Sequence, residues 1–146
     1  MIPSFLILNG PNMNWLGKRE PNLYGTTTYP QLCDKIEVWA RDLGVRAVCF
    51  QSNSEGVLID QLQEAEEKFQ GVLFNPAGYT HTSIALRDCV AAMSIPVVEV
   101  HLTNPHRREL WRQHSHLSEV ASATVAGFGV QSYFLALRLL VQETNS

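Results

Sequence analysis

Phe5-Leu6-Ile7-Leu8, running straight into Asn9-Gly10-Pro11-Asn12-Met13-Asn14-Trp15-Leu16-Gly17-Lys18-Arg19-Glu20-Pro21-Asn22-Leu23-Tyr24-Gly25, is the stretch that decides the fold. The four apolar residues read as a buried strand. The residues behind them follow neither a helical nor an alternating period, and their glycines, prolines and asparagines punctuate turns. A structureless connection of this length is uncommon in a compact domain and is often a lid or binding loop. A solvated loop with an incidental charge is the plainer reading. This loop, however, leaves the end of a first strand, where open α/β sheets place their ligands. It also carries Arg19 and Tyr24, which are close in sequence.

Beyond the loop, Leu32, Ile36, Trp39 and Leu43 recur at helical spacing, with Thr28 as N-cap, Pro30 in the first turn and Gly44 as the stop. Residues 45–51 read as a strand, and Ser52 to Gly56 as a turn. Leu58, Leu62, Ala65 and Phe69 mark a second helix whose opposite face is charged and wet. Residues 71–75 form a third strand, a helix runs from about Thr82 to Met93, and residues 96–101 form a fourth strand. The segment from Leu102 to His116 is polar, with a short helix expected around Glu109 to Gln113. Residues 123–127 give a fifth strand, and Val130, Phe134, Leu137 and Val141 define the last helix. Apolar strands alternating with amphipathic helices imply a parallel sheet covered on both faces. The expected fold is α/β: a flavodoxin-like doubly wound sandwich with a five-stranded parallel sheet in the order 2-1-3-4-5.

The 146 residues are expected to form one catalytic domain spanning 1–146. A net charge of −3 with no basic stripe argues against nucleic acid or an anionic membrane as partner. Cys33, Cys49 and Cys89 lie far apart in apolar segments without a CxxC, the pattern of buried, reduced thiols in a cytoplasmic protein. The opening Met1-Ile2-Pro3-Ser4-Phe5 has no basic segment before its apolar run, and no run reaches membrane-spanning length, so neither a signal peptide nor a transmembrane span is expected.

Chemistry is expected where the strands end. Asn12, Arg19 and Tyr24 follow strand 1, Asn75 and His81 follow strand 3, and Glu99 and His101 close strand 4. Glu99 and His101 are two apart, so both point to one side of the strand. A carboxylate beside an imidazole fixes its tautomer and favours its protonated form, as a general acid needs. A self-satisfied buried pair is the alternative. A metal centre would need a third ligand such as His81 or His106, and asparagine, arginine and tyrosine make a poor zinc shell. A phenol ionises near pH 10 by itself, too high for a base at neutral pH, and a neighbouring guanidinium favours its anion. Arg19 could serve Tyr24 in this way if the loop folds back, with Asn12 or a water on it holding an enolate oxygen. Gly127-Phe128-Gly129-Val130-Gln131-Ser132 half-matches a dinucleotide fingerprint but follows the last strand, so close strand-to-helix packing explains it better. His114 and His116 are read as surface residues rather than ligands.

Four blocks carry a strong resemblance to type II 3-dehydroquinate dehydratases: Leu8-Asn9-Gly10-Pro11-Asn12 with Leu16 to Pro21 and Tyr24-Gly25; Gln51 to Gly56; Asn75 to Ser83 with Leu86-Arg87-Asp88; and Glu99 to Asn104. The resemblance spans nearly the whole chain. It implies loss of water from 3-dehydroquinate to give 3-dehydroshikimate by anti elimination through an enolate, without metal or cofactor. The reaction belongs to the shikimate pathway of aromatic amino-acid biosynthesis or to quinate catabolism. Tyr24 then matches the base, Arg19 the residue that steadies its charge, Asn12 the holder of the enolate-stabilising water, and His101, oriented by Glu99, the acid. Asn75, Leu102 and Thr103 match the carboxylate site, while His81 and Arg112 match contacts to the ring hydroxyls. Asp88 matches a residue reaching a neighbouring subunit's site, consistent with a homododecamer built as a tetramer of trimers. Arg108 matches a family arginine near the site. Met13 and Trp15 in place of leucines, Thr103 in place of serine, Trp111 in place of phenylalanine and Ser132 in place of glycine are departures, and none removes a catalytic group. The rival reading is a flavodoxin-like binding module without catalysis. A phosphoreceiver would need acidic residues where Asn9 stands and a lysine where Gly127 stands. A catalytically silent relative is disfavoured by the presence of Arg19, Tyr24, Glu99 and His101.

Overall fold

Phe5 and Ile7 face one side of the sheet, and Leu6 and Leu8 the other; all four are at most 1% exposed. A strand buried on both faces has no polar side to alternate with, which is why the sequence is continuously apolar here. The computed structural model describes residues 1–145. Its strands are β1 (Ser4–Asn9), β2 (Arg46–Gln51), β3 (Gly71–Asn75), β4 (Val97–His101) and β5 (Ala123–Ala126). They form one parallel sheet in the order β2-β1-β3-β4-β5. The helices are α1 (Pro21–Tyr24), α2 (Tyr29–Asp42), α3 (Glu55–Lys68), α4 (Ile84–Ala91) and α5 (Gln131–Thr144).

Two cores follow from the alternation. Phe5 and Ile7 pack with Leu32 and Ile36 of α2 and with Tyr133, Leu137 and Leu140 of α5. Leu6 and Leu8 pack with Leu58 and Leu62 of α3 and with Leu86 and Val90 of α4. The sheet is therefore wound on both sides, in the order the sequence predicts. Among the described residues no helix is long and apolar enough to cross a membrane.

Local chemistry sets the helix ends. Thr28 caps α2 through a capping box with Gln31, satisfying two N-terminal amides at once. Ser54 and Ser83 accept from Val57 and Leu86 and start α3 and α4. Because Ser54 is the cap, Gly56 lies inside α3 rather than in the expected turn. The strand ends that form the site are tied directly together: the Gly10 amide donates to the Asn75 carbonyl at 2.8 Å. A Cβ on Gly10 would stand 2.5 Å from the Pro76 carbonyl oxygen, so only glycine allows β1 and β3 to release their loops side by side.

The cysteines depart from expectation. All three are half-buried rather than buried, and Cys33 on α2 meets Cys49 on β2. The Cys49 thiol donates to Cys33 and, despite burial, lowers Cys33 to about 7. The same contact, together with burial, pushes Cys49 up.

Candidate active site

The ends of β1, β3 and β4 open into one cleft. It is lined by Asn12, Met13, Arg19, Tyr24, Asn75, Ala77, Gly78, His81, His101, Leu102, Thr103, Pro105, Arg108 and Arg112, and it encloses about 140 Å³, a small-molecule space. The structure thus brings Asn12, Arg19, Tyr24, Asn75, His81, His101, Leu102, Thr103, Arg108 and Arg112 together. Glu99 lies behind His101 instead of on the wall. Asp88 is on α4, outside the lining, with its carboxylate paired to Arg87 at 3.1 Å and 64% exposed.

The connection after β1 is not wholly irregular. A 3-10 turn spans Met13–Trp15, and α1 is a single helical turn with Pro21 at its start and Gly25 at its end. Pro21 suits a first turn because its missing amide would have no helical partner. Both turns are too short to leave a period in the sequence. The loop is folded onto the cleft, so that Tyr24, the last residue of α1, lies among arginines. Its hydroxyl oxygen accepts from Arg108 Nη1 at 3.0 Å and from Arg19 Nη2 at 3.4 Å. The two guanidinium carbons also lie 5.3 and 4.6 Å from the ring centroid. Arg108, rather than Arg19, is therefore the nearer donor. Arg108 reaches Thr103 Oγ1 as well, at 3.2 Å, linking the lid tyrosine to the loop after β4.

The imidazole of His101 is held from behind. Its Nε2 meets Glu99 Oε2 at 2.5 Å, which leaves Nδ1 as the nitrogen free to exchange a proton. Glu99 is 1% exposed. It also accepts from Ser115 Oγ at 2.8 Å and Ser118 Oγ at 2.6 Å, with Thr124 Oγ1 at 3.5 Å. Burial alone would raise this carboxyl. The hydrogen bonds and charge of His101, with those of Ser118 and Ser115, outweigh burial and hold it below the ordinary carboxylate range. Ser115, Ser118 and Thr124 have no signature in the sequence, since the segment carrying the serines has no period.

This cradle predicts a pH effect. Because the native carboxyl is depressed, its stabilisation is present above the ordinary glutamate value and is lost as pH falls through the native one. Ser118→Ala should cost about 1.5–3 kcal/mol at neutral pH and move the onset of acid unfolding to higher pH, read by urea titrations across the acid limb. An unchanged acid limb would show that the hydroxyl does not support the carboxylate.

The remaining walls are fixed by their own contacts. Asn12 sits at φ 70°, a left-handed conformation that asparagine tolerates, and its backbone amide donates to Asn53 Oδ1 at 3.0 Å. Its side-chain amide has no protein partner among the described residues. Asn75 is 4% exposed; its Nδ2 donates to Tyr133 Oη at 2.9 Å and its Oδ1 accepts from the Ala77 amide at 3.1 Å. Tyr133 in turn donates to Asn9 Oδ1 at 2.6 Å. The Ala77 bond accompanies a strained φ of 54° at that residue. His81 Nδ1 donates to the His114 carbonyl at 2.8 Å. Burial lowers its pKa despite that bond, and the Arg112 charge adds to the lowering. A neutral ring so oriented presents Nε2 as an acceptor. Arg112 bonds Glu109 at 2.5 Å and stacks 4.3 Å from the Trp111 ring centroid.

Comparison with known proteins gives a consistent picture. The family model described as "Dehydroquinase class II" matches residues 3–141. A 3-dehydroquinate dehydratase of Bacillus pumilus is 50% identical over 142 residues, covering 97% of this chain and 97% of the relative. A protein of Neosartorya fischeri named catabolic 3-dehydroquinase 2 is 47% identical over 145 residues, covering 99% of this chain and 97% of the relative. The crystal structure of a type II dehydroquinase from Butyrivibrio crossotus superposes with a TM-score of 0.94 at 38% identity, covering 99% of each chain.

Proposed function

The chain belongs to the class II dehydroquinase family, and from that premise we propose how its cleft removes water from 3-dehydroquinate. It is a dehydratase; the assignment of roles to its residues is our reading. Tyr24, as phenolate, takes the proton alpha to the ketone. The electron pair moves into the carbonyl to give an enolate, whose oxygen is held by a water on Asn12. The enolate collapses, the C1–O bond breaks, and the departing hydroxyl takes a proton from His101 to leave as water. The product is 3-dehydroshikimate, formed by anti elimination. Asn75, the Leu102 amide and Thr103 hold the carboxylate, and His81 and Arg112 hold the ring hydroxyls.

The observation that carries this reading is the arrangement at Tyr24. Two guanidinium groups donate to one phenol oxygen, and an anionic oxygen accepts such charge-assisted bonds best. In the same cavity a histidine is locked by a buried carboxylate, which suits proton donation. An ultraviolet assay tests it: adding 3-dehydroquinate should produce the absorbance of a conjugated enone, equally with and without a chelator. No absorbance would overturn the function, and chelator sensitivity would overturn the metal-free mechanism.

Two finer readings go with it. The chain assembles with itself as a homododecamer, a tetramer of trimers, with Asp88 completing a neighbour's site; Leu110 and Trp111, 81% and 61% exposed, support an interface beside the cleft. Light scattering should return twelve times the 16.4 kDa chain mass, and a monomer mass would refute it. The enzyme acts in the cytoplasm, a reading supported by its free cysteines and tested by fractionation.

A further inference from the structure

We propose that His114, His116 and Glu119 form a binding site for a divalent transition-metal cation of the zinc class, outside the catalytic cleft. His114 and His116 are two apart in sequence and flank Ser115. The Ser115 side chain donates to Glu99, and the two imidazoles that flank it lie edge to face. Their ring centroids are 4.8 Å apart at 83°. The 3-10 turn Leu117–Glu119 then brings Glu119 back toward them. The sequence spacing shows only two histidines; the turn supplies the third donor.

One ligand atom from each of the three residues lies within 4.8 Å of the others. Zinc bonds of about 2.0–2.1 Å in a tetrahedron set donor separations of roughly 3.4 Å. Small side-chain rotations close that difference. His114 Nε2 already lies 3.6 Å from Glu119 Oε1. The other Glu119 oxygen is held by Arg87 Nε at 3.3 Å, which orients the carboxylate and leaves Oε1 for a ligand. The positive charge of Arg87 opposes a cation, and its pairing with Glu119 Oε2 offsets that charge.

The backbone of this segment is anchored. The His116 amide donates to the Thr80 carbonyl at 3.0 Å, the Ser118 amide donates to Ser115 Oγ at 3.0 Å, and Leu117 is 3% exposed. Two imidazoles and one carboxylate select a zinc-like ion over magnesium or calcium, with solvent completing the tetrahedron. The three ligands do not line the catalytic cleft. A bound ion would pin the segment that gives Ser115 and Ser118 to Glu99 and the His114 carbonyl to His81.

The test uses the untagged full chain, freed of metal with a chelator. Cobalt(II) is titrated while its visible ligand-field bands are followed, and Zn2+ is then added in competition. One cobalt per chain, displaced by Zn2+, is expected, with a higher unfolding midpoint when Zn2+ is present. His114→Gln and His116→Gln should each weaken binding by at least about 10-fold. His106→Gln, on the neighbouring loop, should leave it unchanged. Glu119→Gln provides the same reading if a histidine variant fails to fold. The proposal is overturned if the parent binds no more tightly than these variants, or if His106→Gln weakens binding as much as they do.

Discussion

Tyr24→Phe should lower kcat by about 10²–10⁴-fold, the usual contribution of a positioned base, and leave the circular dichroism spectrum and unfolding midpoint near those of the parent. The substitution removes one oxygen and keeps the ring. Contacts of Arg19 and Arg108 with the ring face, at 4.6 and 5.3 Å, survive it, as does the ring's packing against the core. Lost are the two bonds at 3.0 and 3.4 Å to the hydroxyl oxygen. A fall in turnover therefore reports on the oxygen rather than on lid position. Activity within a few-fold of the parent would remove Tyr24 as the base.

The second large effect is expected at His101. His101→Ala should lower kcat with little change in KM, since the proton it gives matters in the transition state rather than in binding. Alanine also leaves the buried Glu99 without its imidazole partner. Breaking a buried pair in that way typically costs about 3–5 kcal/mol, although Ser115 and Ser118 still donate to the carboxylate. His101→Gln separates the two consequences. Its amide can donate to Glu99 but cannot deliver a proton, so it should recover much of the stability and little of the turnover. A loss confined to KM in both variants would contradict the acid role.

The sheet could be read from the chain because each strand is an apolar run between amphipathic helices, and burial on both faces leaves that pattern. Asn75, Glu99 and His101 could be placed for the same reason: a residue at the end of a strand has a position as soon as the strand has one. Contacts between loops left no such trace. Arg108 lies far from Tyr24 in sequence, so spacing pointed to Arg19; the resemblance placed Arg108 near the site, and its bond to the Tyr24 oxygen emerged only from the fold. The segment from Leu102 to His116 has no period because 3-10 turns at Pro105–Arg107 and Leu110–Arg112 organise it, along with Gln113 Nε2 bonded to the carbonyls of His106 and Arg108. Ser115 and Ser118 therefore read as ordinary polar loop residues, although with His101 they help hold the Glu99 carboxyl below its ordinary range. Cys33 and Cys49 were likewise separate in sequence and adjacent in space.

The division of labour between Tyr24 and His101 can be tested by isotope exchange at the substrate's alpha carbon. The His101→Gln and Tyr24→Phe proteins are each incubated with 3-dehydroquinate in deuterated water, and the residual substrate is read by NMR. His101→Gln keeps the base, so it should incorporate deuterium at the alpha carbon faster than it forms product. Tyr24→Phe should incorporate none above the enzyme-free rate. Exchange by Tyr24→Phe at the rate of His101→Gln would contradict the assignment of Tyr24 as the group that makes the enolate.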